Sequence, residues 1–175
     1  MKIDIKTLDR VNGLFVNKKM PVSWIKEYYE KDDPILNSFI NDIDIRLNLT
    51  FTTTEQLICY GGWNTLLHFE CDRCLEPFDF EFKDDFTVMM FPKGTPDFDE
   101  DSVTDCFFYE GEEIDFLSIF GELMSLNYPF LKTCKPECMG ICQDCGKNRN
   151  FENCNCKDKN SGNKFETLKK LKIGG

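Results

Sequence analysis

Six of the chain's ten cysteines lie between Cys134 and Cys156, in a stretch with few apolar residues to bury. Such a segment cannot hold a shape by hydrophobic contact alone, so its thiols must be cross-linked or must bind something. Two pairs have Cys-x-x-Cys spacing, Cys71/Cys74 and Cys142/Cys145. Cys134/Cys138 has a three-residue gap and Cys154/Cys156 a one-residue gap. A tight turn at the Cys-x-x-Cys spacing brings both sulfurs to one side, within reach of one ion, with backbone N–H groups pointing at the thiolates. Gly146, directly after Cys145, permits the positive φ that such a knuckle needs. The eight paired cysteines make two sets of four, and structural Zn²⁺ takes four ligands in a tetrahedron.

Cys142, Cys145, Cys154 and Cys156 are local in sequence and can form one site unaided. Cys71 and Cys74 then take Cys134 and Cys138 as partners, which would pin the β half of the chain to the segment after its helix. The alternative joins Cys71/Cys74 to Cys142/Cys145 and leaves the other four idle or in a second site. The first grouping is preferred. Four thiolates alone do not choose between zinc and a rubredoxin-like iron. Cys59 and Cys106 stand on apolar stretches and read as buried thiols.

Two other uses of the thiols fit less well. Residues 1–6 contain no apolar run typical of a secretory signal, and no stretch approaches the length of a membrane span. The expectation is a cytoplasmic chain without a membrane segment, where disulfides are rare and clustered cysteines bind metal. A dithiol at Cys71-Asp72-Arg73-Cys74 would have its nucleophile favoured by Arg73, but a thioredoxin-like motif opens a helix in a βαβ unit. Here Pro77 and an alternating Phe run follow. His68 is the only histidine and lies in strand-like sequence, and no phosphate-binding Gly-rich motif is present. The expectation is a non-enzymatic protein with no small-molecule substrate.

The apolar pattern places the rest. In Ile43 to Phe51 every odd position is apolar and every even one polar, the period of a half-buried strand. Trp63, Thr65, Leu67 and Phe69 alternate likewise, as do Phe78, Phe80 and Phe82, with Phe86, Val88 and Met90 in the same phase and Asp84 interrupting it. Such alternation favours antiparallel sheet. Ser23 to Tyr29 reads as a short helix capped by Ser23 and ended by Asp32-Asp33-Pro34. Residues 114–127 read as the principal helix, with Phe116, Ile119, Phe120 and Leu123 as its core stripe, Asp115 as cap and Pro129 as stop. Residues 92–101 form an acidic loop, and Phe165 to Ile173 one short amphipathic helix. The expected fold class is α+β: a mainly antiparallel sheet, open or barrel-like, with one principal helix and a C-terminal Cys-rich zinc-binding segment. Its organisation is a β-rich domain over 1–131, the Cys-rich segment over 132–156, and a Lys-rich tail over 157–175.

Charge divides along the same line. Ten basic and five acidic residues lie from Lys132 onward, against 11 basic and 26 acidic before it. The acidic part excludes a protein that coats nucleic acid over its whole surface, while a local basic face near the C-terminus remains compatible with phosphate.

These motifs occur in a recognisable order: Cys71-Asp-Arg-Cys-Leu-Glu-Pro-Phe, a helix ending at Leu126-Asn-Tyr-Pro129, then Cys134, Cys138-Met-Gly-Ile-Cys142, Cys145-Gly-x-Asn, and Cys-x-Cys. Over roughly residues 40 to 156 the chain resembles the YceD family of bacteria and chloroplasts. The resemblance implies a role in accumulation of 23S ribosomal RNA and so in large-subunit assembly, with no enzymatic reaction. It implies pre-23S rRNA, large-subunit ribosomal proteins or both as partners. The alternatives are an adaptor or chaperone for a basic ribosomal protein without RNA contact, and a thiol oxidoreductase. Some members keep residues matching Cys71, Cys74, Cys134 and Cys138 while lacking the later cluster, which accords with two separate zinc sites.

Overall fold

The computed structural model describes residues 1–52, 56–93 and 105–156. Its strands are β1 (Lys2–Asp4), β2 (Leu14–Met20), β3 (Ile43–Phe51), β4 (Leu57–Glu70), β5 (Pro77–Pro92), β6 (Asp105–Tyr109) and β7 (Glu113–Asp115). Its α-helices are α1 (Val22–Ile25), α2 (Pro34–Ser38) and α3 (Phe116–Asn127). A five-stranded sheet runs in the order β2-β3-β4-β5-β6, and β1 pairs with β7 in a separate two-stranded sheet. The class is α+β. The larger sheet stays open, with β2 and β6 as its edges, so the barrel-like form of the expectation does not occur.

Alternation decides which face is covered. Ile43, Ile45, Leu47 and Leu49 of β3 are buried with Trp63, Leu67 and Phe69 of β4 and Phe82, Val88 and Met90 of β5. Asp84 does not break the phase: β4 and β5 pair without a bulge from Leu57↔Met90 to Glu70↔Pro77, with Asp84 opposite Trp63. α3 lays Phe116, Ile119, Phe120, Leu123 and Met124 on this face. Phe120 meets Trp24, Trp63 and Phe86 with ring centroids 5.8, 6.3 and 5.4 Å away. Edge-to-face aromatic contacts of this kind add to the burial term.

Several local expectations change. β6 pairs with β5 in parallel, from Val88↔Asp105 to Pro92↔Tyr109. Parallel neighbours need a connection of about a dozen residues, and positions 93–104 separate the two strands in sequence. α1 is a single turn preceded by Pro21, without a side-chain cap, so Ser23 does not cap it. Pro34 opens a helix instead of ending one: Asp33 accepts from Ile35 N–H, and proline suits the first helical position. Ile114 belongs to β7 opposite Ile3, and α3 starts only after Asp115, whose carboxylate accepts from Leu117 N–H. α3 ends at Asn127 because Tyr128, preceding Pro129, is extended at φ −62°, ψ 130°. Cys59 is buried as expected, with burial raising its thiol pKa to about 12, whereas Cys106 is only half-buried.

From residue 94 the acidic loop, and all of the tail helix over 165–173, lie outside the described residues. Among the described residues no helix is long and apolar enough to cross a membrane.

Phe120 is fully buried at the meeting point of helix and sheet. Replacing it with alanine is expected to cost about 3–5 kcal/mol of folding free energy, read as a lower urea midpoint at unchanged m-value.

Candidate metal centres

The longest hairpin carries the first knuckle at its tip. β4 ends at Glu70 and β5 begins at Pro77, so Cys71-Asp72-Arg73-Cys74 is the turn between them. Cys71 N–H donates to Glu76 O at 2.9 Å, Leu75 N–H donates to Cys71 O at 2.9 Å, and Leu75 takes φ +62°. The second knuckle repeats that turn. Cys142 N–H donates to Lys147 O at 2.8 Å, Gly146 N–H to Cys142 O at 2.9 Å, and Gly146 has φ +72°. One turn is therefore written by two different sequences. The second uses glycine where the conformation favours it, and the first forces a leucine into it.

The segment after α3 returns to the hairpin tip. Asp72 N–H donates to Lys132 O at 2.8 Å, and Lys132 N–H donates back to the Asp72 carboxylate at 2.7 Å. The Lys132 ammonium sits 5.5 Å from the ring centroids of both Phe69 and Tyr128, a cation–π contact that holds the strap's first residue. Arg73 Nη1 donates to Cys138 O at 3.2 Å, while Arg73 O accepts from Ile141 N–H at 2.9 Å. Gly140 makes this approach possible: a Cβ there would lie 2.9 Å from Arg73 O.

These contacts bring Cys71, Cys74, Cys134 and Cys138 together, with all four sulfurs within 4.8 Å of one another. Cys71 Sγ and Cys138 Sγ are 3.8 Å apart, and Cys74 Sγ and Cys134 Sγ 3.7 Å. A tetrahedron with Zn–S bonds of about 2.3 Å has an edge of about 3.8 Å. The donor set and its size therefore fit a tetrathiolate ion, whereas a disulfide would need about 2.05 Å. Three of these cysteines are buried and Cys134 is half-buried. Cys142, Cys145, Cys154 and Cys156 form a second group, also within 4.8 Å. It is more open: only Cys142 is buried, and Cys145 and Cys156 are exposed. The alternative grouping, with Cys71/Cys74 beside Cys142/Cys145, is not the one the fold produces.

Backbone donors set the charge within each group. Burial pushes the Cys71 thiol up, but the N–H groups of Cys134, Arg73 and Cys74 outweigh it and bring the pKa down to about 6. Burial likewise raises Cys138, and the Asn150 amide with the Gly140 N–H turns the net shift downward. Cys134 goes the other way, to about 12, through burial and the neighbouring sulfurs of Cys138, Cys74 and Cys71. In the second group the N–H groups of Cys145 and Asp144 lower Cys142 to about 7, while the Cys145 sulfur and burial raise Cys156 to about 12. The first group thus favours the thiolates of Cys71 and Cys138 and disfavours those of Cys74 and Cys134, and the second favours that of Cys142 over those of Cys154 and Cys156.

Sequence reasoning missed two parts of the site. The Asp72–Lys132 clasp has no periodic signal. Asn150, whose Nδ2 donates to Cys138 Sγ at 3.4 Å, is one polar residue in an asparagine-rich loop, reaching its partner only because the loop folds back. His68 pairs with Asp79 at 2.7 Å across β4 and β5, is exposed, and belongs to neither four-sulfur group.

This is a small α+β protein whose hairpin tip and following strap are drawn together by one tetrathiol group, with a second such group within the strap, both compatible with metal. The family model described as Large ribosomal RNA subunit accumulation protein YceD matches residues 61–172, well over half the chain. The chain belongs to the YceD family. No curated protein and no solved structure matches it.

Two predictions test the knuckles. Leu75→Gly is expected to stabilise the protein by about 0.5–1 kcal/mol, because left-handed strain of about 1–2 kcal/mol exceeds the extra unfolded-state entropy of glycine. Gly146→Ala should cost about 1 kcal/mol for the same reason; a Cβ there meets nothing within 4 Å, which isolates the backbone effect. Urea midpoints measure both. In the metal-free protein, the Cys71 pKa lies near 6 against an ordinary 9.0, so its thiolate supplies stability that is present above about pH 9 and lost as pH falls through 6. Cys134, raised to about 12, supplies stability below about pH 9 that is lost as pH rises through 12. Thiolate absorbance should accordingly show Cys71 and Cys142 ionising before Cys134 and Cys156, and Cys71→Ser should remove the earliest step.

Proposed function

We propose that this protein is a non-enzymatic factor for 23S rRNA accumulation during large-subunit biogenesis, held in shape by two Cys₄ zinc sites. The ligands are Cys71, Cys74, Cys134 and Cys138 in the first site and Cys142, Cys145, Cys154 and Cys156 in the second. The observation that carries this reading is that the stretch matched by the family model, 61–172, contains both four-sulfur groups. In this account residues 132–156 are a zinc-binding segment on the 1–131 domain, and 157–175 a Lys-rich tail. Zinc supplies folding energy to a segment that buries little besides Cys138 and Cys142. It acts in the cytoplasm, where thiols stay reduced and ribosomes assemble.

The clasp then presents side chains suited to an RNA or RNA–protein surface. Arg149 is exposed on the second loop, while Lys147 is already paired with Glu152 at 3.3 Å and offers less free charge. Phe130 and Phe151 are 99% and 76% exposed, aromatic faces on which an unpaired base can stack. The second reading, an adaptor for a basic ribosomal protein, draws on the acidic excess of 26 against 11 residues before Lys132. A positively charged partner would be attracted there as strongly as RNA is repelled.

One experiment on the tagged protein separates the readings. Metal analysis of the purified chain is expected to give two zinc ions, colourless where an iron tetrathiolate would be red, and lost together with fold on chelation. The same preparation, drawn from cells at low and moderate salt, should carry pre-23S rRNA with affinity that falls as salt rises. Recovery of a basic ribosomal protein without RNA would select the adaptor. A metal-free, redox-cycling Cys71/Cys74 pair would overturn the zinc reading.

A further inference from the structure

The two sulfur groups are connected by more than the chain between them. Asn150 lies between Cys145 and Cys154, yet its Nδ2 donates to Cys138 Sγ of the other group at 3.4 Å. Its Oδ1 accepts from Met139 N–H at 3.0 Å. A backbone N–H can only donate, so this contact takes the amide oxygen and turns the NH₂ toward the sulfur. Asn148 completes the frame. Its Oδ1 accepts from both Asn150 N–H and Asn150 Nδ2, at 3.0 and 2.9 Å, and its Nδ2 donates to Glu76 Oε1 of the first knuckle at 3.1 Å. Arg149 N–H donates to Gly140 O at 2.9 Å between them. A loop whose ends belong to the second group therefore lies across the first.

A donor on a metal-bound thiolate draws off part of its charge and fixes the direction of its lone pairs, and loss of such a contact weakens metal sites. Residues 146–153 are the span between the second knuckle and its closing pair. When Cys142, Cys145, Cys154 and Cys156 share one ion, both ends of that span are held and the amide is delivered to Cys138 with little left to order. When they do not, only its hydrogen bonds hold it, against the entropy of a released loop.

We propose that Asn150 is a positioning residue that couples the two metal sites: filling the second seats its amide on Cys138 and tightens the first. By reciprocity, filling the first tightens the second by the same factor. The proposal rests on the two-site metal reading above and gives the more open site control over the buried one.

Cobalt(II) titration of the full-length protein under chelator competition tests it, because tetrathiolate cobalt reports each site by its absorption. Four proteins are compared: wild type, Asn150→Ala, the second-site knockout Cys145→Ser/Cys156→Ser, and the combination. Asn150→Ala is expected to weaken the first site on the order of 10-fold. The second-site knockout should weaken it by a similar factor, and the combination by no more than either alone. The sulfur-to-cobalt band of the first site should move to lower energy in Asn150→Ala, a change that a purely structural role would not produce. Asn150→Asp keeps the size and the acceptor for Met139 N–H but sets an oxygen against the sulfur. It should weaken the first site at least as much, and it stands in if the alanine variant fails to fold. Additive losses, or an unchanged first-site affinity in Asn150→Ala and Asn150→Asp, would overturn the coupling while leaving both metal sites in place. A wild-type chain that binds no cobalt at either group would overturn the metal reading and the coupling with it.

Discussion

The junction of the β4–β5 hairpin tip with the strap after α3 is the constraint on which the rest of the structure depends. Four sulfurs meet there, two from each side, and the surrounding hydrogen bonds run in both directions between Asp72 and Lys132 and between Arg73 and the 138–141 turn. The sheet and helix have an aromatic core of their own around Trp63 and Phe120. The strap has none. Among its described residues only Cys138, Gly140 and Cys142 are buried, so its path is set by sulfur geometry and backbone hydrogen bonds. An ion at that junction would tie the last part of the chain to the longest ladder in the sheet.

The same turn appears twice with different chemistry around it. Leu75 carries positive φ at the hairpin, where Cys71 is fully buried, and Gly146 carries it in the open loop. The buried knuckle is braced by the strands on either side, which can hold a strained leucine in place. The open knuckle has no such bracing and uses the residue that needs none. The two groups also differ in solvent access, the first enclosed and the second with two of its four cysteines exposed. Asn148 and Asn150 belong to the loop that the second group closes, and they hydrogen-bond to Glu76 and Cys138 at the first.

The parts legible in sequence were those with strong local periodicity or fixed spacing. β3 was readable to its ends because every odd residue from Ile43 to Phe51 is buried or half-buried. The stripe of α3 was readable for the same reason, and the Cys-x-x-Cys turns because two residues between cysteines leave little geometric freedom. β1, β2, β6 and β7 were not readable. They are short or lie at sheet edges, and in β2 the exposed Lys18 occupies a position where alternation calls for an apolar residue. Edge strands carry such charges because only one side of their ladder is paired. Pro34 was read as a break, although proline preceded by an aspartate cap starts a helix as readily as it ends one.

By itself the sequence determined an α+β chain with an antiparallel hairpin, one amphipathic helix, and eight cysteines in four pairs, because each of these rests on the spacing of near neighbours. Which pair meets which is a long-range matter. Sixty residues separate Cys74 from Cys134, so local spacing favoured that pairing only by elimination, after the other four cysteines closed among themselves. The tertiary structure decided it: the helix turns the chain back along the sheet, and Tyr128, Pro129 and Lys132 deliver the strap to the tip of β4 and β5. It also decided that an asparagine of one loop would rest on a sulfur of the other group. Only folding brings those atoms within hydrogen-bond distance.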